Sequence, residues 1–351
     1  MRKVLFVTSY NPWRPTSSPK MLTLSVMEAL TMLGYDVHAY CYGPPTSPDK
    51  VGLPISSFTS YPKYESKTFN SGVSIFLHST DSRKDLLAFI GQLKPDLFVV
   101  DGFASTHCAP WLAMLDKAPV VYLAQNCTLA LGHDWAETGD ADLMEMIAEH
   151  EDIMVRSAAR VLVFSDRDAW NFRARYKARD VRIIRPSVSA PRQIAPAYHG
   201  SFFFIGDTPW YLVEEGLAKF QAALSSRQQG IAVVKKTLST KEMKVHNYVS
   251  DPTELMKECH CAFLPTALVS GIEPWVLYCL SAGLPVVSTD DVVQAFHPTE
   301  ALKTDLKGVL DLLPGDHHAL SKLGMEYVKQ HYSKEASIES TRTALDGLSG
   351  A

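Results

Sequence analysis

Apolar and polar residues alternate along this chain in two periods that switch repeatedly. Lys3 to Thr8 is a short apolar run, and from Leu22 the apolar positions Leu22, Val26, Ala29, Leu30 and Leu33 share one face of a 3.6-residue helix. Gly34 supplies a helix stop, and Asp36 to Cys41 returns as a second apolar run. A strand, helix and strand in that order form a βαβ unit and predict a parallel sheet. Further strands are predicted at Val73 to Leu77, Asp96 to Val100, Val120 to Leu123, Val161 to Phe164 and Val181 to Ile184. Several are apolar at consecutive positions, as strands buried on both faces require. Helical patterns at Lys84 to Leu93 and Asp142 to Arg160 separate them, and the Pro/Gly/Ser-rich stretch Gly43 to Ser71 reads as an excursion from the sheet edge.

The prolines and small polar residues of Pro186 to Gly200 mark a linker. A second series follows, with strands at Phe202 to Ile205, Ile231 to Val234, Lys244 to His246, Cys261 to Leu264 and Pro285 to Ser288. Helices are predicted near Val213 to Leu224, at Pro252 to Glu258 and from Glu273, and the C-terminal third is helical with Leu320, Leu323, Tyr327, Val328 and His331 on one stripe. The expected fold is α/β, two Rossmann-like doubly wound domains facing across a cleft. The first spans 1–190 and the second 191–335, with a helix over 336–351 returning to the first. A length of 351 residues fits two cores. Ligands of such sheets bind at the carboxyl ends of the strands.

Composition narrows the function. A formal net charge of -4 gives no global basic field for nucleic acid or an anionic membrane, leaving only a local patch. The six cysteines lie mostly in apolar stretches and read as reduced thiols of a cytoplasmic protein. No window approaches the ~18 apolar residues of a membrane span, so the expectation is a soluble chain, at most peripheral to a membrane. No phosphate-binding Walker loop or G-x-G-x-x-G follows the first strand, and no G-x-S-x-G is present. Cys259-His260-Cys261 lacks a second pair at metal-binding spacing, so no metal is expected.

Five segments carry a resemblance. "SAARVLVFSDRDAWNFRARY" with "VRIIRPSV", then "FFFIGDTPW", "VHNYVSDPTELMKECHCAFLPT", "GIEPWVLYCLSAGLPVVSTD" and "LSKLGMEYVKQHYSKEAS" follow one another as the landmarks of the family 4-like (group 1) glycosyltransferases do. The chain resembles those GT-B enzymes from about Arg156 to its C-terminus. The resemblance implies transfer of a sugar from a nucleotide-diphosphate donor (a UDP- or GDP-sugar as substrate) to an acceptor hydroxyl. It further implies retention of configuration, no metal and no tightly bound cofactor. It places the donor against Gly206, Asp207 and Thr208, against Ser270, Gly271, Ile272, Glu273 and Tyr278, and beside Asn247 and Tyr248 at the base.

The chain departs from the family at the donor pyrophosphate. Asp207 and Glu215 stand where the family sets an arginine and a lysine, and Ser270 and Tyr278 stand at its two glutamates. Lys235 at a strand end is a replacement cation. Arg14 and Lys20, with Tyr10, Asn11 and Ser18, belong to the loop that the resemblance closes over donor and acceptor. Gln125 and Asn126 end a strand where relatives often carry a histidine. Asp101 at a strand end and His107 beyond it are the candidate base and orienter. The acceptor stays open among polysaccharide, metabolite and modified nucleic acid, and the oligomeric state is open too. A silent scaffold with the same fold and a nucleotide-sugar epimerase are the alternatives.

Overall fold

A computed structural model describes residues 1–12, 17–42, 55–61, 65–68, 74–77, 80–115, 118–131, 141–188, 190–198, 200–206, 210–224, 229–234, 243–246, 249, 251–265 and 270–348. The chain divides into two compact units. The first comprises Met1–Pro15, Pro19–Pro186 and Ser337–Ala351, and the second Thr16–Ser18 and Ser187–Ala336.

In the first unit, β1 (Lys3–Thr8), β2 (Asp36–Tyr42), β3 (Ser57–Tyr61), β6 (Leu97–Asp101), β7 (Val120–Leu123), β8 (Arg160–Val163) and β9 (Val181–Ile183) form one sheet in the order β3-β2-β1-β6-β7-β8-β9. Every neighbouring pair is parallel. Helices α1 (Ser18–Met32), α2 (Thr80–Leu93), α3 (Ala109–Met114), α4 (Thr128–Leu131), α5 (Ala141–Ser157) and α6 (Asp166–Tyr176) intervene. The central strands are buried along their length because both sheet faces are covered. Leu5, Val7, Phe98, Val100 and Tyr122 from the strands meet Leu86, Met154 and Phe172 from the helices in one core.

Three sequence expectations change here. The Gly43 to Ser71 excursion contains β3, whose half-buried residues pair with β2 at the sheet edge, and also β4 (Glu65–Thr68). The strand expected at Val73 to Leu77 is β5 (Ser74–Leu77), but it pairs antiparallel with β4 and lies outside the main sheet. The helix expected up to Arg160 ends at Ser157, because Arg160 begins β8 and its guanidinium is claimed by Asp180 and the carbonyls of Ala344 and Asp346.

The second unit carries the sheet β12-β11-β10-β13-β14-β15, from β10 (Ser201–Ile205), β11 (Gly230–Val233), β12 (Met243–His246), β13 (Cys259–Leu264), β14 (Val286–Ser288) and β15 (Leu302–Lys303), all parallel. Helices α7 (Trp210–Ala223), α8 (Thr253–Met256), α9 (Pro274–Ala282), α10 (Asp290–Val293), α11 (Leu306–Leu310) and α12 (Pro314–His331) accompany it. Phe204 packs on Phe220, with ring centroids 5.3 Å apart, and Phe220 on Phe263 at 6.3 Å. α9 is well specified locally. Glu273 caps its start, accepting from the Trp275 amide at 3.2 Å, and Gly283 ends it in the left-handed region at φ 93°. The last helix, α13 (Lys334–Leu345), groups with the first unit from Ser337 onward. Among the described residues no helix is long and apolar enough to cross a membrane.

Candidate functional site

Each sheet presents residues at the carboxyl ends of its strands. In the first unit Asp101, the last residue of β6, is fully buried. Its Oδ2 accepts from Thr23 Oγ1 at 2.7 Å and Tyr10 OH at 2.9 Å, and its Oδ1 from Gln125 Nε2 at 2.8 Å. Gln125 also donates to Tyr10 OH, while Thr23 reaches the Pro19 carbonyl at 3.0 Å. The loops after β1 and β7 and the N-terminal half of α1 are therefore tied to the one carboxylate that ends β6.

No cation is among these partners. Burial pushes the Asp101 carboxyl up from its ordinary range, opposed by the hydroxyl and amide donors of Thr23, Gln125, Tyr10 and Thr8. Burial likewise raises the Tyr10 phenol, and the Asp101 charge adds to it. The donors are all neutral, so the arrangement holds a carboxylate by hydrogen bonding alone.

A second buried carboxylate fixes the neighbouring loop. Glu151 of α5 accepts from the backbone amides of Thr128 at 2.9 Å and Leu129 at 3.2 Å, and from Tyr176 OH at 2.7 Å. It thereby caps α4 from a distance, directly after Gln125 and Asn126. Burial raises its carboxyl too, against the Thr128, Tyr176 and Leu129 donors. Asn126 is half-buried, and its Oδ1 accepts from Thr128 Oγ1 at 3.1 Å.

His107 lies in a 3-10 turn (Phe103–Cys108), its ring edge-on to Tyr42 at 6.1 Å and to Trp111 at 6.2 Å. Asp101 and His107 are thus held by different sets of neighbours. Asn11 and Lys20 are half-buried. Arg14 lies outside the described residues.

In the second unit Gly206 follows β10 and donates its amide to the Val233 carbonyl at 3.2 Å. Ser270 is fully buried, Gly271 is left-handed at φ 81°, and Ile272 is buried before the Glu273 cap. The backbone turns sharply there, a conformation that favours glycine. Glu273 Oε1 also accepts from Ser18 Oγ at 2.9 Å; residues 16–18 group with this unit. Tyr278 is largely buried within α9, with its hydroxyl 3.5 Å from Asp251 Oδ1. Burial and then the Asp251 charge push this phenol up. Asp251 is anchored by the Thr253 amide at 3.0 Å and by Arg192 at 2.9 Å. Its carboxyl is held below the ordinary range: burial works upward, but the Thr253 and Arg192 contacts outweigh it. Asp207, Thr208, Lys235, Asn247 and Tyr248 lie outside the described residues.

His260, from the Cys-His-Cys run, is buried and stacks on His317 with centroids 4.2 Å apart. Its Nε2 lies 3.2 Å from the Val309 carbonyl. Among the described residues no group of three or more His, Cys, Asp or Glu side chains is placed to hold a metal ion.

Thr23, Glu151, Arg192 and Asp251 are parts of these arrangements that the sequence reading did not single out. Glu151 did leave a signal. It sits with Ile147, Met154 and Val155 on one helical stripe, and all four are buried. A carboxylate on a core stripe needs hydrogen-bond partners.

No protein-family model matches the sequence, and a search of curated proteins finds no match. Solved structures do match over nearly the whole chain. Sucrose-phosphate synthase from Thermosynechococcus elongatus superimposes with a TM-score of 0.72 at 13% identity, covering 98% of this chain and 98% of that one. Anabaena HepE, in complex with UDP and glucose, gives 0.71 at 11% identity, with 98% and 99% covered. WaaG, a glycosyltransferase involved in lipopolysaccharide biosynthesis, gives 0.64 at 12%, with 98% and 100% covered. The chain has the fold these proteins share, two Rossmann-like α/β units of the GT-B type.

Proposed function

We propose that the protein is a glycosyltransferase that takes its sugar from a nucleotide-diphosphate donor, with UDP-sugars the first candidates. The observation that carries this reading is the full-length likeness to GT-B structures, including one holding UDP and glucose. The five ordered sequence landmarks support it independently of the superposition.

The second unit binds the donor at the carboxyl ends of β10 and β13. There the Ser270-Gly271-Ile272 turn brings backbone close to a ligand, with Gly206 at the end of the adjacent strand. Glu273 occupies the Trp275 amide at the start of α9, so the donor phosphates are not neutralised by that amide. Lys235 is the cation of this unit assigned to that task, in place of the family's arginine and lysine. Electrostatic stabilisation of a leaving pyrophosphate needs such a group. Asn247 and Tyr248 border the base, and Asp207, Thr208 and Tyr278 complete the donor side.

The first unit binds the acceptor along the edge formed by Tyr10, Gln125 and Asn126, with Asn11 and Lys20 on the first loop, whereas Ser18 groups with the second unit through Glu273. Asp101 acts here through its neighbours, orienting Tyr10 and Gln125. His107 is the remaining candidate for proton transfer. Retention of configuration and independence from metal are the outcomes this reading assigns.

A second reading, a nucleotide-binding protein without transferase activity, is favoured by the full enclosure of Asp101 and by the use of Glu273 as a helix cap. Isothermal titration of the full chain with UDP, UDP-glucose and GDP-mannose, followed by mass spectrometry for donor turnover, separates the two. The transferase reading expects saturable binding, at least tenfold weaker in Lys235→Ala, together with donor consumption. Binding without consumption over any acceptor panel favours the second reading, and absence of binding by any nucleotide overturns both.

A further inference from the structure

The helix α6 carries chemistry that the proposed transfer reaction does not use. Its inner face is ordinary: Ala169, Phe172 and Tyr176 are buried in the first unit's core. The outer stripe at helical spacing is Asp166, Trp170, Arg173 and Lys177, all exposed. Trp170 keeps 65% of its surface in solvent on a helix that buries its other two aromatic rings.

Charge concentrates at the same place. Residues 173–179 read Arg-Ala-Arg-Tyr-Lys-Ala-Arg, four cations with no carboxylate, in a chain whose formal net charge is -4. Arg173, Arg175, Lys177 and Arg179 are all exposed. Arg173 donates to the Val181 carbonyl at 2.9 Å and Lys177 to the Ala174 carbonyl at 3.0 Å; both contacts are to neutral groups, so the charges stay uncompensated. Among the described residues no ion pair engages any of the four. The nearby acid Asp180 is taken by Arg160 and Arg182, and Asp166 is the one carboxylate on the stripe.

A lone exposed tryptophan is commonplace on protein surfaces. An indole followed on the same helix face by the exposed cations Arg173 and Lys177 is a different object, because both halves favour the same partner. Indole settles at the headgroup level of a bilayer, and Lys and Arg near an anionic leaflet gain from its surface potential. Nucleic acid fits less well. Single strands are gripped by a series of aromatic rings along a groove, and this convex stripe offers one.

We propose that the outer face of α6, Trp170 with Arg173 and Lys177, is a docking surface for an anionic phospholipid membrane, with the exposed Arg175 and Arg179 adding positive charge nearby in the chain. The face binds peripherally, with the indole at the headgroups and the cations against lipid phosphates. It does not depend on the glycosyltransferase reading, because vesicle binding needs neither donor nor acceptor.

The test is flotation of the full chain with vesicles of phosphatidylcholine alone and of phosphatidylcholine mixed with phosphatidylglycerol, at low and high salt. A single-stranded oligonucleotide is titrated in parallel. The expected result is binding to the anionic vesicles only, weakened by salt, with a blue shift of tryptophan emission that Trp170→Phe removes. Losing each cation lowers the partition coefficient about fivefold, so Arg173→Gln/Lys177→Gln lowers it about 25-fold. The charge-preserving pair Arg173→Lys/Lys177→Arg retains it. These side chains are exposed, so the variants are expected to fold, and circular dichroism checks this. Equal binding to neutral and anionic vesicles, unchanged binding by the double glutamine variant, or tighter binding to the oligonucleotide overturns the proposal.

Discussion

Removing the Asp101 carboxylate tests whether the first unit's ligand edge is held as the hydrogen bonds indicate. In Asp101→Ala three donors lose their acceptor: Thr23 at 2.7 Å, Tyr10 at 2.9 Å and Gln125 at 2.8 Å. Hydrogen bonds to a charged acceptor contribute about 1.5–3 kcal/mol each. Two effects offset that loss. A buried carboxylate without a cation costs several kcal/mol to desolvate, roughly, and the alanine variant is relieved of it. Thr23 and Gln125 also retain the Pro19 carbonyl, at 3.0 and 3.3 Å. The net loss expected is about 2–4 kcal/mol. For a domain of this size that lowers the melting temperature by about 5–15 °C. Thermal melts of the full chain followed by near-UV circular dichroism read it, since Tyr10 is in the network. A variant melting within about 1 °C of the wild type refutes the argument.

The same carboxyl supplies a pH signature. Its folded pKa is raised, so the folded state binds the proton more tightly than the unfolded chain does. The associated stability is present below the ordinary carboxylate range and is lost as pH rises through the raised value. The advantage of the wild type over Asp101→Asn should therefore shrink with rising pH across that window; a constant or growing advantage contradicts the assignment. Glu151→Ala strands the Thr128 and Leu129 amides and the Tyr176 hydroxyl, a loss of about 2–4 kcal/mol. Hydrogen exchange at residues 128–131 should accelerate beyond the change elsewhere. Gly283→Ala forces a Cβ into the left-handed C-cap of α9, 3.2 Å from the Ile194 carbonyl, and costs about 1–2 kcal/mol. Urea titration of the second unit's transition reads it. Asp251 behaves oppositely to Asp101: its carboxyl is lowered, so its stabilising pairing with Arg192 is present above the ordinary carboxylate range and is lost as pH falls through the lowered value. Arg192→Ala weakens that acid-side dependence, and the Thr253 hydrogen bonds retain the remainder.

The strand positions and helix faces were legible where periodicity was strong. β1, α1, β6, β7 and β10 coincide with apolar runs whose period alone separates strand from helix. β3 escaped because its residues, Ser-Phe-Thr-Ser-Tyr, are half-buried at the sheet edge and sit between proline-rich stretches. The strand-end rule drew attention to Asp101 and Gln125, but the sequence carries no sign that they bond one another from different strands. Thr23 lay hidden for the same reason, as a small polar residue amid the apolar face of α1. Glu151 sits among acids of α5 such as Glu145 and Glu149 that read as a solvated face. Only its register with Ile147 and Met154 distinguishes it. On the donor side the departures at Ser270 and Tyr278 were visible by counting residues, whereas the Arg192 to Asp251 ion pair joins segments 59 residues apart.

The central claim is a nucleotide-sugar site on the second unit, at the turn before α9. Hydrogen exchange of the full chain with and without saturating UDP-glucose tests it most directly. Slowed exchange is expected across residues 270–282 and at Gly206, with a matching loss of protection in Lys235→Ala. Unchanged exchange across that turn, with or without protection elsewhere in the chain, contradicts it.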